Sequence, residues 1–342
     1  MKKSLLALLG FAVLALLLYI GYEKREGAPA HKEVVVYVSE DRVFSEPILK
    51  DFEKETGIKV RAVYDTEETK STGVMNRLIA EKSSPGADVY WANEPIRVEV
   101  LKRKGILAPY ISKNARGIAE NFKDPEGYWC GFSARIRVFV VRKGAQKRPA
   151  SIMDYTDPEF KGKGVIANPL FGTTTSHIAA LFTVWGAERT EAFMNAMKRN
   201  GVAISTSNGE SADIVAMGAA DFALVDSDDA VNRIRQGKPV TMVYPDQEEG
   251  GLGCFVVPNV AVLIKGAKHP SEAKLLIDYL LSKETERKLA FADCAQIPLH
   301  KGVAVPPELK PLEQIRTMDV DYAKVAEELE KIQPFLKQWA GL

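Results

Sequence analysis

Cysteine is scarce in this chain. There are three in 342 residues, Cys130, Cys254 and Cys294, and none stands in a C-x-x-C pair or at a cysteine–histidine spacing that could hold zinc. Three thiols allow at most one disulfide, and their spacing does not choose the pair. The main reading is three small buried apolar side chains. The four histidines, His31, His177, His269 and His300, are scattered, so none is assigned to a metal. No G-x-S-x-G elbow, H-E-x-x-H helix or G-x-x-x-x-G-K-[ST] loop occurs. Neither sign of charge is in excess: 46 basic and 45 acidic residues leave +1, which argues against a nucleic-acid binder that needs a basic surface. No internal repeat is present, and no catalytic residue or cofactor is assigned.

What is present begins at the N-terminus. Lys2 and Lys3 precede an apolar run from Leu5 to Ile20 and then Glu23-Lys24-Arg25-Glu26, the order of an export signal. Ala28-Pro29-Ala30 offers an A-x-A site, while Ser4 to Tyr22 falls near the lower limit of the roughly 17–25 residues that span a bilayer. Residues 1–30 are thus expected to be either a cleaved signal peptide or an uncleaved membrane anchor. No cysteine near the end of the run offers a lipid attachment point. The remaining chain is placed in the periplasm or otherwise outside the cytoplasmic membrane. Its length, about 310 residues, exceeds what one core usually supports, so two lobes are expected.

Along that chain strands and helices alternate. Glu33 to Val38 is a continuous β-branched run, and a helix is expected to open at Ser45-Glu46-Pro47, with proline in its first turn, and to stop at Thr56-Gly57. Ile58 to Tyr64 completes a βαβ unit, so the sheet is partly parallel. Strands at Ala87–Trp91, Trp129–Val141, Gly164–Ala167 and Ala220–Val225 follow, with helices through Met75 and Leu78, Val98 and Leu101, Thr174 to Trp185, and Phe193 and Met197.

Polar residues sit where these strands end: Ser39-Glu40-Asp41, Asp65-Thr66-Glu67, Asn93-Glu94, Asn168-Pro169 and Asp226-Ser227-Asp228-Asp229. Ligands of open α/β sheets collect outside the carboxyl ends of strands, so these ends point to one cleft, although each residue alone could simply cap a helix. Gly172-Thr173-Thr174-Thr175-Ser176 opens an apolar helix with backbone and hydroxyl donors at its positive end, which suits an oxyanion or an ordinary N-cap. Ser133, Arg135 and Arg137 fall on one face of an alternating strand, Arg135 favoured as an anion fork and Arg137 as an ion pair. The candidate ligand contacts are Ser39, Glu40, Asp65, Asn93, Glu94, Ser133, Arg135, Thr173, Thr174, Thr175, Asn208, Asp226 and Asp228.

Val34-Val-Val-Tyr-Val-Ser, Phe52 to Val60, Ser84-Pro-Gly-Ala-Asp-Val-Tyr, Trp129 to Val138 and Val256 to Ala267 resemble the ferric-type family of extracellular solute-binding proteins, which feed ABC importers. The resemblance implies an α/β, type II periplasmic-binding fold, two lobes with crossing strands near Arg135–Phe139 and Pro258–Leu263, and ligand between them. Lobe I is expected over 31–136 and 262–302, lobe II over 137–261 and 303–342. The family's iron binders carry an adjacent tyrosine pair where this chain reads Asp226-Ser227-Asp228-Asp229, and the histidine that often follows the first strand is replaced by Glu40-Asp41. Tight ferric iron binding is therefore not expected, whereas relatives without the tyrosines include binders of sugar phosphates and aminophosphonates. The expectation is a monomeric binding protein that passes a small anionic solute, phosphorylated or phosphonate-like, to a membrane permease. The alternatives are a hard-cation binder such as a ferric one and, behind it, a metal-assisted hydrolase.

Overall fold

The computed structural model describes residues 32–65 and 71–341. The leader at residues 1–30 lies outside the described residues, as do Thr66 and Glu67. Among the described residues no helix is long and apolar enough to cross a membrane.

Strand β1 (Glu33–Val38) buries Val34, Val36 and Val38 completely and pairs in parallel with both β2 (Lys59–Tyr64) and β3 (Val89–Ala92). Such a strand is covered on both faces, hence its unbroken β-branched run. Between β1 and β2 runs α1 (Arg42–Thr56), which buries Ile48, Leu49 and Phe52 and ends at Gly57, whose φ of 70° is left-handed backbone that glycine adopts without a Cβ clash. The helix starts at Arg42, before the Ser45 start expected from the sequence, so Pro47 sits inside it rather than in its first turn. An interior proline leaves the carbonyl four residues back without its helical donor and crowds it with the ring, and the Ser45 hydroxyl donates to the Asp41 carbonyl at 3.0 Å in the turn before it. Helices α2 (Thr72–Ala80) and α3 (Ile96–Arg103) and the short β4 (Leu107–Ala108) complete this half.

Strand β5 (Cys130–Arg142) belongs to both halves. Its first part pairs antiparallel with β10 (Val256–Ile264) through Ile136, and from Arg137 onward it pairs with β8 (Phe222–Asp226) and β9 (Val240–Val243). The order β2-β1-β3-β10-β5-β8, continued by β6 (Gly164–Ala167) and β7 (Ala203–Ser205), thus joins a sheet around β1 to one around β8. The second sheet adds the parallel β6 and β7 and is flanked by α4 (Gly172–Trp185), α5 (Ala187–Arg199), α6 (Asn208–Ala216) and α7 (Ser227–Arg235). Its core is aromatic. Phe222 meets Phe139, Tyr155 and Phe160 at centroid distances of 5.3, 4.9 and 5.3 Å. The Tyr155 hydroxyl donates to the Val165 carbonyl and accepts from the Leu224 amide, both at 2.7 Å, which satisfies the buried phenol.

Helices α8 (Pro270–Leu280) and α9 (Lys283–Phe291) pack on the first half, and α10 (Tyr322–Lys331) and α11 (Gln333–Ala340) close the chain. Helix α10 touches both halves, packing on α3 and on α4. Cys130, Cys254 and Cys294 are all buried and unpaired; burial pushes the Cys130 thiol up to about 12 and the other two higher still.

Candidate functional site

The polar end of β8, at Asp226, meets the start of α4 and Asn208 where β5 changes sheets, whereas Asn168 after β6 accepts from the Leu170 amide and, through its own amide, donates to Ser205. Arg137, at the first β5 position paired to β8, is fully buried and lies in register with Asp226. Its Nη1 donates to Asp226 Oδ1 at 2.9 Å, Asn208 Oδ1 at 3.0 Å and Thr173 Oγ1 at 3.1 Å. Its Nη2 donates to the Leu224 carbonyl at 3.0 Å and Thr174 Oγ1 at 3.3 Å. A guanidinium taken out of water needs such partners and an opposite charge; only its buried Nε has none. Burial alone would raise the Asp226 carboxyl, but Arg137 and Arg135 outweigh it and hold the group below the usual carboxylate range.

The start of α4 is tied into this network. Gly172 takes a φ of 60°, and the next hydroxyl, Thr173 Oγ1, donates to Asp226 Oδ2 at 2.8 Å and accepts from Asn208 Nδ2 at 2.9 Å. Thr174 Oγ1 donates to Asn208 Oδ1 at 3.3 Å, and Thr175 Oγ1 is buried with no hydrogen-bond partner. The hydroxyls of Thr173 and Thr174 are therefore engaged with Arg137, Asp226 and Asn208, while the first-turn amides of the helix have no partner within it.

Arg135 stands two residues before Arg137, on the part of β5 still paired with β10. Its Nη2 donates to the Asn93 carbonyl at 2.5 Å, its Nη1 lies 3.7 Å from Asp226 Oδ2, and its buried Nε has no hydrogen-bond partner. Glu40, at the end of β1, is 8% exposed. Burial pushes its carboxyl up to about 7 against the pull of Arg135, with Asp41 and Asp228 adding to the rise. Asp228, in the first turn of α7, is pushed up to about 6 by burial and by Asp226. Asp229 is raised by burial and by Asp228 and Asp226, and its carboxylate lies 3.5 Å from Arg233.

The other first-half candidates are bound to their own surroundings. Ser39 Oγ bonds Asp65 Oδ2 at 3.2 Å and the Tyr90 hydroxyl at 2.9 Å. Asn93 Oδ1 accepts from Ser71 Oγ at 2.5 Å. Glu94 accepts from the amides of Ile96 and Arg97 at 3.0 and 2.9 Å, as a residue capping a helix N-terminus does. Ser133 does not share a face with Arg135 by simple alternation. Phe132 pairs with Asn259 and Ala134 with Pro258, so Ser133 is an extra residue, at φ 41°, and a bulge resets the two-residue period. Its amide donates to Glu286 Oε1 at 2.9 Å.

Two polar residues escape sequence reasoning. Asn259 interrupts apolar β10, accepts from Trp91 Nε1 at 3.1 Å and donates to Gln296 Oε1 at 2.8 Å. Gln296 borders Glu40 and bears on its carboxyl as a hydrogen-bonding neighbour. The one signal for the first is an asparagine within a strand of buried residues. For Gln296, in a loop, there is none.

Residues 34–290 match the family of bacterial extracellular solute-binding proteins. The chain belongs to this family. Iron uptake protein A1 of Synechocystis sp. is 28% identical over 294 residues, covering 80% of this chain and 79% of that protein. The putative 2-aminoethylphosphonate-binding periplasmic protein of Salmonella typhimurium is 26% identical over 349 residues, 99% of this chain and 94% of the other. The structure of AfuA from Actinobacillus pleuropneumoniae, with exogenous fructose-6-phosphate bound, superposes with a TM-score of 0.76 at 24% identity, covering 92% of this chain and 100% of that one. The fold is the type II periplasmic-binding fold, and the protein is the substrate-binding component of an ABC importer, not an enzyme.

Proposed function

We propose that the solute is a small anion, phosphorylated or phosphonate-like, held between lobes composed of residues 31–136 with 262–302 and 137–261 with 303–342. Arg135 carries the reading. It is a permanently charged fork at the strand that joins the halves, with one side chain–backbone bond, a long ion pair and an unused Nε. The amides opening α4 add positive potential near Asp226, which Arg135 also approaches. Ser39, Glu40, Asp65, Asn93, Glu94, Ser133, Thr173, Thr174, Thr175, Asn208, Asp226 and Asp228 are proposed to surround the solute or to hold the groups that do. Closure about β5 and β10 follows from contacts the solute makes with both lobes, and the closed monomer docks on the permease.

The relatives named for iron uptake raise a ferric alternative. Oxygens of Asp226, Asp228 and Asp229 do lie within 4.8 Å of one another. Asp226 is already paired with Arg137 and Asp229 with Arg233, and no tyrosine stands in the 226–229 segment, so the donor set suits ferric iron poorly. Calorimetry with ethylphosphonate tests the anionic reading: saturable binding lost in Arg135→Ala supports it, and binding unchanged in that variant contradicts it.

A further inference from the structure

The bulge in β5 rests on a chain of buried polar contacts. Ser133 takes a φ of 41°, left-handed backbone that is strained for serine and persists only where its surroundings hold it. Its amide donates to Glu286 Oε1 at 2.9 Å, its carbonyl accepts from Asn259 Nδ2 at 3.1 Å, and the next residue, Ala134, exchanges two backbone bonds of 2.7 Å with Ile297. Glu286, on α9, is fully buried and accepts two further amides, Leu299 at Oε1 at 2.9 Å and His300 at Oε2 at 3.1 Å. Three amides aimed at one carboxyl favour its ionised form, and a carboxylate buried so deeply needs a counter-charge.

His300 supplies it. Its Nδ1 lies 2.8 Å from Glu286 Oε2 and its Nε2 lies 2.9 Å from the Asn114 carbonyl. A carboxylate and a carbonyl only accept, so both ring nitrogens carry protons and the ring is an imidazolium. We propose that His300 is a positioning residue whose charge keeps Glu286 ionised, fixing the bulge at Ser133 and with it the face of β5 on which Arg135 stands two residues later. An extra residue in one strand inverts the alternation beyond it, so the bulge decides how Arg135 is presented. Burial alone would lower the imidazole from its ordinary 6.5, but Glu286 and the Asn114 carbonyl outweigh it and the group is raised. The other titratable groups about the pair are Lys283 on α9, which opposes the imidazolium, and the buried Cys130 thiol on β5, with Lys123 and Glu120 beyond it. Because the folded value is raised, the support is whole below pH 6.5 and is lost as pH rises through that folded value. Losing the proton turns a ring lone pair against an acceptor and leaves Glu286 without its counter-charge. The pinning stands on these contacts alone, while its consequence for the solute rests on reading Arg135 as the anion fork.

The test is nitrogen-15 NMR of the histidine rings, with His300 assigned by its absence in His300→Gln, together with amide hydrogen exchange at Ser133 in ligand-free protein from about pH 6 to about pH 9. The expected result is imidazolium shifts on both His300 nitrogens persisting above pH 6.5, with Ser133 protection, corrected for the intrinsic rate, falling roughly ten-fold or more as His300 titrates. Glu286→Gln should lower the His300 midpoint and abolish the pH step at Ser133; should that variant not fold, the wild-type titration decides. A His300 ring with one bare nitrogen at about pH 6, or Ser133 protection that does not change through the His300 titration, would overturn the proposal. Calorimetry with ethylphosphonate then reads the consequence: affinity reduced in Glu286→Gln supports the link to Arg135, and unchanged affinity overturns that link. If ethylphosphonate does not bind the wild type, the anionic reading has failed, and the NMR and exchange results still decide the pinning.

Discussion

Arg137 and Asp226 face each other across adjacent strands at 2.9 Å, at the residue where β5 leaves one sheet for the other. The pair is fully desolvated on the arginine side and anchors the openings of α4, α6 and α7 to the sheet. Removing one partner strands a buried charge. Asp226→Ala should therefore destabilise the protein by about 3–5 kcal/mol, read as a lowered urea midpoint without ligand; a loss below about 1 kcal/mol would mean that Arg137 is solvated or finds another counter-charge.

Much of the fold is legible in the amino-acid sequence. The βαβ start follows from apolar runs and their punctuation, because buried parallel strands leave a strong local signature, while the family is carried by the resemblance of stretches such as Trp129 to Val138 and Val256 to Ala267. Single residues are harder to place. Arg137 reads as half of an ion pair, yet its complete burial depends on Asp226, 89 residues away. The bulge at Ser133 leaves no local trace, since an extra residue in one strand is defined only against its partner. Thr173 and Thr174 read as an anion site because the helix start is local, while the groups that occupy their hydroxyls arrive from β5 and α6.

Proton uptake should accompany burial of Glu40. Its value in the folded protein, about 7, lies above the ordinary 4.5, so the arrangement that buries it against Arg135 binds an extra proton. That stabilising contribution is whole below pH 4.5, the unperturbed value, and is lost as pH rises through about 7. Ligand-free protein should lose about 3 kcal/mol from this group between those limits, seen as a more expanded particle by small-angle scattering at about pH 8 than at about pH 5. Glu40→Gln should remove the difference, and a radius of gyration independent of pH in the wild type would contradict it.

The double variant Thr173→Ala/Thr174→Ala removes hydrogen bonds to Arg137, Asp226 and Asn208 at once. Each charge-assisted bond lost costs about 1.5–3 kcal/mol. Both stability and solute affinity should fall. Weakened binding with an unchanged melting temperature would show instead that these hydroxyls touch solute directly.

Ferric phenolates absorb visible light, and the segment Asp226-Ser227-Asp228-Asp229 contains none. Protein incubated with ferric citrate and desalted should stay colourless. A stoichiometric coloured complex would restore the iron reading, and its loss on mutation of Glu40, Asp65 and Glu94 would locate the metal on the first half.

Native mass spectrometry of the protein purified from its own compartment addresses the solute directly, because a ligand retained in the cleft keeps its mass. The expected spectrum shows one organic solute per chain, with phosphorus in its composition. Stoichiometric iron with no organic adduct would contradict it.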